Sequence, residues 1–161
     1  MLAREIYGMF LINGAMPLNN RQFPAHGDVR LHIEGRLLVI EGYGPANLEA
    51  VLYYQRSVQG FRNQLNSGPW ASLVLLREEP LLVPEAKNLL ISSIQRATQQ
   101  NLVATAVVIQ DTQYESTVRM FWESIYAQVD LTQAFFEQEA DARAWLQRHI
   151  DIASNGVSIS K

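Results

Sequence analysis

Three short apolar runs, at 72–76, 103–109 and 132–136, begin 31 and then 29 residues apart. That interval is the length of one strand, one crossover helix and the return to the next strand, so the runs read as parallel strands joined by right-handed crossovers. Apart from spacing the units share no sequence identity, which points to a layered sheet and not to a repeat protein. The runs are almost continuously apolar, as expected for strands that helices cover on at least one face.

The intervening segments carry helical signals. The stretch 84–100 places Ala86, Leu90, Ile94 and Ala97 on one face, and Thr112-Gln113-Tyr114-Glu115 has the form of a capping box before Val118, Phe121, Trp122 and Ile125. A last helix at about 139–150 turns Ala142, Trp145, Leu146 and Ile150 inward, and 151–161 is expected to fray as a tail. Upstream, Val29, Leu31 and Ile33 alternate with Arg30, His32 and Glu34, and Gly35-Arg36 turns the chain into an apolar strand ending near Glu41. This is a hairpin, although Glu34-Gly35 is not the most favoured turn dipeptide. Gly42-Tyr43-Gly44-Pro45 ends its second strand, and Pro45 suits the first turn of a helix. Leu48, Val51, Leu52, Tyr54, Val58, Phe61 and Leu65 then form one stripe, stopped by Asn66-Ser67-Gly68-Pro69. The expectation is an α/β domain over 28–150: a mixed sheet of about five strands, an N-terminal hairpin followed by parallel strands, packed with about four helices.

Composition narrows the function. A chain of 161 residues with 48% hydrophobic and 18% charged residues suits one folded domain. The absence of cysteine excludes a disulfide framework, cysteine-ligated zinc, iron–sulfur clusters and a thiol nucleophile. A net charge of −3 argues against nucleic acid as a partner, since phosphate neutralisation needs a basic surface. Of 13 cations all but Lys87 and Lys161 are arginine, spread without a run, and a salt-bridged surface is expected of them. Residues 1–27 read as an N-terminal extension, with an apolar stretch broken by Gly8 and Asn13 and a second start at Met16. Glu5 beside Arg4 and those breaks do not suit a signal peptide. No stretch approaches the roughly 20 apolar residues of a bilayer span. A cytoplasmic protein is expected, not an integral membrane one, and homodimer formation through a sheet edge or helix face stays open.

Ligands on open α/β sheets bind beyond the carboxyl ends of the strands. That edge is made here by 42–47, 77–84, 111–114 and 137–139, which makes Tyr43, Asn47, Asp111 and Tyr114 the candidate ligand-binding residues. Gly42-Tyr43-Gly44 offers amides to an anion, but the third glycine of a dinucleotide fingerprint falls on Asn47, and there is no P-loop lysine. Asp111 and Thr112 read first as helix caps. Glu78, Glu79, Leu81 and Leu82 form an acidic then apolar loop bracketed by Pro80 and Pro84, a candidate surface for a protein partner or a lid. Catalytic groups are sparse. His26 lies in the extension, His149 near a helix end, and His32 with Glu34 lacks a third metal ligand nearby. No Gly-x-Ser-x-Gly elbow is present. No enzyme activity, metal or cofactor is expected.

The hairpin Gly27-Asp28-Val29-Arg30-Leu31-His32-Ile33-Glu34-Gly35-Arg36, the strand–helix alternation, and the ending Phe135-Phe136 followed by Ala142-x-x-Trp145-Leu146 resemble the SpoIIAA-like, STAS/SEC14-type family over about 27–150. The resemblance implies a small mixed sheet packed with helices. It implies a non-enzymatic module that binds a regulatory protein partner or, in the lipid-carrier branch, holds an apolar ligand. Anti-sigma-antagonist relatives carry a phosphorylated serine after the first parallel strand that follows the hairpin. Here that loop is Leu76-Arg77-Glu78-Glu79-Pro80, without serine or threonine, so the phosphorylation switch is not expected.

Two readings follow. One is a regulatory module docking a protein through the strand-end loops. The other is a carrier or sensor of a small apolar, lipid-like molecule in a cleft between sheet and helices, to which Phe121, Trp122 and Tyr126 would contribute.

Overall fold

In the computed structural model the strands advance across one sheet in chain order, β1-β2-β3-β4-β5. The structure describes residues 27–159, with side chains through 156; the extension before Gly27, with His26 and Met16, lies outside the described residues. The strands are β1 (Asp28–Glu34), β2 (Leu37–Tyr43), β3 (Trp70–Arg77), β4 (Leu102–Gln110) and β5 (Thr132–Phe136). The helices are α1 (Leu48–Leu65), α2 (Pro84–Thr98), α3 (Glu115–Tyr126) and α4 (Glu139–Ile159). β1 pairs antiparallel with β2, and every later pair is parallel. The mixed five-stranded sheet with four helices therefore stands as the sequence implied.

Strand order fixes where the helices lie. Crossovers of one hand that always step the same way return over the same face. Accordingly α1, α2 and α3 share one apolar core with the sheet, containing Leu31, Leu38, Val58, Trp70, Val107 and Ile125. After β5 no strand remains to be reached, so α4 folds back over the opposite face, where Ala142, Leu146 and Ile150 meet Leu73, Ala106 and Val108. The central strands are buried on both faces, which explains why their sequences do not alternate.

Four local expectations need correction. The hairpin turns at Gly35-Arg36 as expected, with Glu34 paired to Leu37, and what changes is the judgement of its turn dipeptide. Gly35 has φ +60° and Arg36 is not among the positive-φ residues, the pattern of a type II′ turn with glycine first, so the Glu34-Gly35 pair was the wrong dipeptide to judge. Pro45 does not open a helix. Gly44 at φ +66° and the bridge between Ala46 and Leu82 keep the chain extended, and α1 starts after Asn47, whose Oδ1 accepts the Ala50 N–H at 3.1 Å. The capping box does not form. Asp111 at φ 53° bends the chain sharply, the Thr112 hydroxyl accepts the Tyr114 N–H at 3.1 Å, and the helix begins three residues later without a side-chain cap. Finally, α4 runs through Ile159 where a tail was expected. No proline interrupts it, and Gln147 donates to Asp151 one turn on at 2.9 Å.

Candidate functional site

Between the sheet and the helices α1 and α2 lies a cleft of about 90 Å³. Leu38, Ile40 and Val74 form its sheet wall, and Val51, Tyr54, Leu90 and Ile94 its helical wall. Because α1 runs antiparallel to the strands beside it, its first turns stand over the carboxyl edge and its last turns over the strand starts. The cleft follows the same axis. Gly44, Ala46, Pro80 and Leu82 surround its mouth at the carboxyl edge, and Arg62, Trp70 and Leu102 line its inner end.

The mouth is held by backbone pairing. Ala46 donates to the Leu81 carbonyl at 2.9 Å, Gly44 donates to Arg77 at 3.2 Å, and the buried Trp122 indole donates to the Pro80 carbonyl at 2.8 Å. Tyr43 stands at the rim between two guanidinium groups, Arg30 at 4.9 Å and Arg77 at 5.7 Å from its ring centre. At the start of β1 Asp28, which also lines the cleft, pairs with Arg30 at 3.3 Å.

Few polar groups reach the interior. Ser72 and Thr105 are register partners on β3 and β4, and their buried hydroxyls are 2.6 Å apart. Tyr126 is fully buried; burial raises its pKa far above the ordinary phenol range, with Tyr54 pushing the same way, so the phenol stays neutral. Arg62 is only 3% exposed, and its guanidinium donates to Ser93 twice, to the carbonyl at 3.0 Å and to the hydroxyl at 3.1 Å.

Of the sequence candidates the structure brings Tyr43 and Leu82 to the cleft. Asn47 is spent on capping α1, and Asp111 and Tyr114 are exposed away from the cleft lining. Glu78 and Glu79 are exposed at the strand end, whereas Leu81 and Leu82 are half-buried against the core. Trp122 and Tyr126 line the cleft, and Phe121 packs edge-on against Trp122 with centroids 6.1 Å apart. His32 bonds to Glu34 at 2.7 Å, and Arg143 also reaches Glu34, at 2.5 Å, tying α4 to the hairpin. Among the described residues no group of three His, Cys, Asp or Glu side chains is placed to hold a metal ion. Within them, no helix is long and apolar enough to cross a membrane.

The arginines are not uniformly a salt-bridged surface. Arg30, Arg119 and Arg143 do pair with carboxylates, but Arg36 donates to the Leu65, Gly68 and Pro69 carbonyls, and Arg62 is buried. Arg62 was legible in principle: it falls four residues after Val58 and three before Leu65, on the apolar stripe of α1.

No family model matches the chain, and no curated protein does. Among solved structures, the chain is similar to an uncharacterised protein of the DUF3478 family with a SpoIIAA-like fold from Shewanella loihica PV-4. The likeness has 16% identity and a TM-score of 0.49, and covers 78% of this chain and 98% of that one.

Proposed function

We propose that this protein is a non-enzymatic binding module that holds one small, mainly apolar molecule in the cleft between β2–β4 and the helices α1 and α2. The observation that carries this reading is the cleft itself. It opens at the carboxyl edge of parallel strands, and its walls are apolar with few polar groups, which is the usual build of a small-molecule site. Tyr43 at the rim and Trp122 behind the mouth loop serve as the aromatic frame of the entrance.

A regulatory protein partner docking through the same loops is the second reading, favoured by the exposure of Glu78, Glu79 and Val83. Leu81 and Leu82 offer it less, since both turn partly toward the core.

Trp70 and Trp122 line the cleft and Trp145 packs on the opposite face, so intrinsic fluorescence reads the site. Titration with dodecanol and with dodecanoate is expected to change that fluorescence saturably and to raise the melting temperature with ligand concentration. Ala50→Phe, which places a ring in the cleft, should abolish both responses in a protein with an unchanged circular dichroism spectrum. An unmoved signal with both ligands would shift the weight to protein docking.

A further inference from the structure

We propose that the molecule held in the cleft is a linear carboxylic acid, its carboxylate set against Arg62 at the buried inner end and its alkyl chain running toward the mouth. This rests on the cleft reading above. Arg62 lines the cleft and is 3% exposed, and its Nε is buried without a hydrogen-bond partner. The two bonds it does make go to neutral oxygens of Ser93, which orient the guanidinium without balancing its charge. Among the described residues no carboxylate lies within ion-pair distance of it. The acid that lines the cleft, Asp28, sits at the opposite end and pairs with Arg30. A buried cation without a counter-charge is costly, and breaking a buried pair from either side is among the more destabilising changes a fold can suffer. An anion entering the cleft removes that cost.

The surroundings select the kind of anion. Among the described residues Arg62 is the one cationic side chain lining the inner end, which matches a single negative charge better than the near-double charge of a phosphate monoester. An arginine fork with a free Nε–H suits a carboxylate oxygen. Ser72 and Thr105 line the same half of the cleft; one hydroxyl donates to the other, which leaves a second hydroxyl proton for the ligand. From Trp70 to Leu76 the cleft follows β3 for about 20 Å at the usual strand rise. The lining is apolar and elongated along the strand, a shape that suits one alkyl chain better than a ring system.

The test compares acids with alcohols of equal chain length on the full chain: dodecanoate with dodecanol and tetradecanoate with tetradecanol, by calorimetry at neutral pH. The acid is expected to bind about tenfold or more tightly than its alcohol, the range for hydrogen bonds to charged groups. Arg62→Gln should bring acid and alcohol of equal chain length to the same affinity. A second measurement needs no variant: carboxyl-labelled dodecanoate followed by carbon NMR should stay ionised, when bound, at pH values where the free acid is protonated. Equal affinities for acid and alcohol, or a bound acid that titrates like the free one, would overturn the inference and leave the cleft reading intact. If neither acid nor alcohol binds, both fall.

Discussion

The Ser72 and Thr105 hydroxyls meet at 2.6 Å on facing positions of the two central parallel strands, a polar pair in a wall that is otherwise apolar. One hydroxyl donates to the other, so removing one leaves the other buried without its partner. Thr105→Val is expected to cost about 1–3 kcal/mol. The double variant Ser72→Ala with Thr105→Val should cost clearly less than the sum of the two single changes. Urea unfolding of the four proteins gives the coupling, and strict additivity would show that the hydroxyls do not depend on each other.

Arg36 closes a different joint. From the hairpin turn it donates to the carbonyls of Leu65, Gly68 and Pro69, pinning the end of α1 and the loop that enters β3. Those carbonyls include one left over at a helix C-terminus, which needs an external donor. Arg36→Met keeps the stem and removes the donors. It should lower stability by about 2 kcal/mol, a fall in melting temperature of roughly 4–8 °C for a chain of this size. A melting temperature within a degree of the parent would show that water replaces the guanidinium at no cost.

Acid sensitivity is expected at the link between hairpin and α4. The Arg143 and His32 side chains, both bonded to Glu34, hold its carboxyl below the usual carboxylate range. A carboxylate whose folded pKa is depressed contributes stability above its unfolded pKa and loses it as pH falls through the folded value. At neutral pH the parent should therefore be more stable than Glu34→Gln. The advantage stays under about 1 kcal/mol, because Glu34 is 42% exposed and screened by water. It should vanish on acidification, and a gap that persists at a pH below the folded pKa would point to packing instead of charge.

The mouth of the cleft depends on Trp122. Its indole N–H is the donor to the Pro80 carbonyl, and the following residue pair, Leu81 and Leu82, bridges to Ala46. Trp122→Phe leaves that carbonyl without its donor. Hydrogen exchange at the Ala46 amide should become faster while the amides of β4 keep their protection. Equal acceleration throughout would mean global destabilisation and no local gate.

Much of this architecture could be read before the structure was known, for physical reasons that also mark where reading stops. The spacing of the apolar runs determined parallel pairing, and Ala86, Leu90, Ile94 and Ala97 fell on the buried face of α2 because a helical period leaves few other arrangements. Helix ends were less legible. Thr112 read as a cap and Asn47 as a ligand-binding residue, and the backbone bends at Gly44 and Asp111 decide that Asn47 caps and Thr112 does not. The site was the least legible part. Tyr43, read as a ligand residue, and Leu82, read as a partner-docking residue, both meet the cleft, but Ser72 lay in a run read as apolar, and Arg62 among the dispersed arginines. Their meeting in one cleft depends on the antiparallel course of α1 over β3, a tertiary relation that no local pattern records.

Native mass spectrometry of the gently purified protein, with dodecanoate added in a parallel sample, tests the central claim most directly. The account predicts a one-to-one complex, heavier than the denatured polypeptide by the mass of one small molecule, that Ala50→Phe prevents. A bare polypeptide mass in both samples, from a folded protein, would contradict the cleft as a binding site.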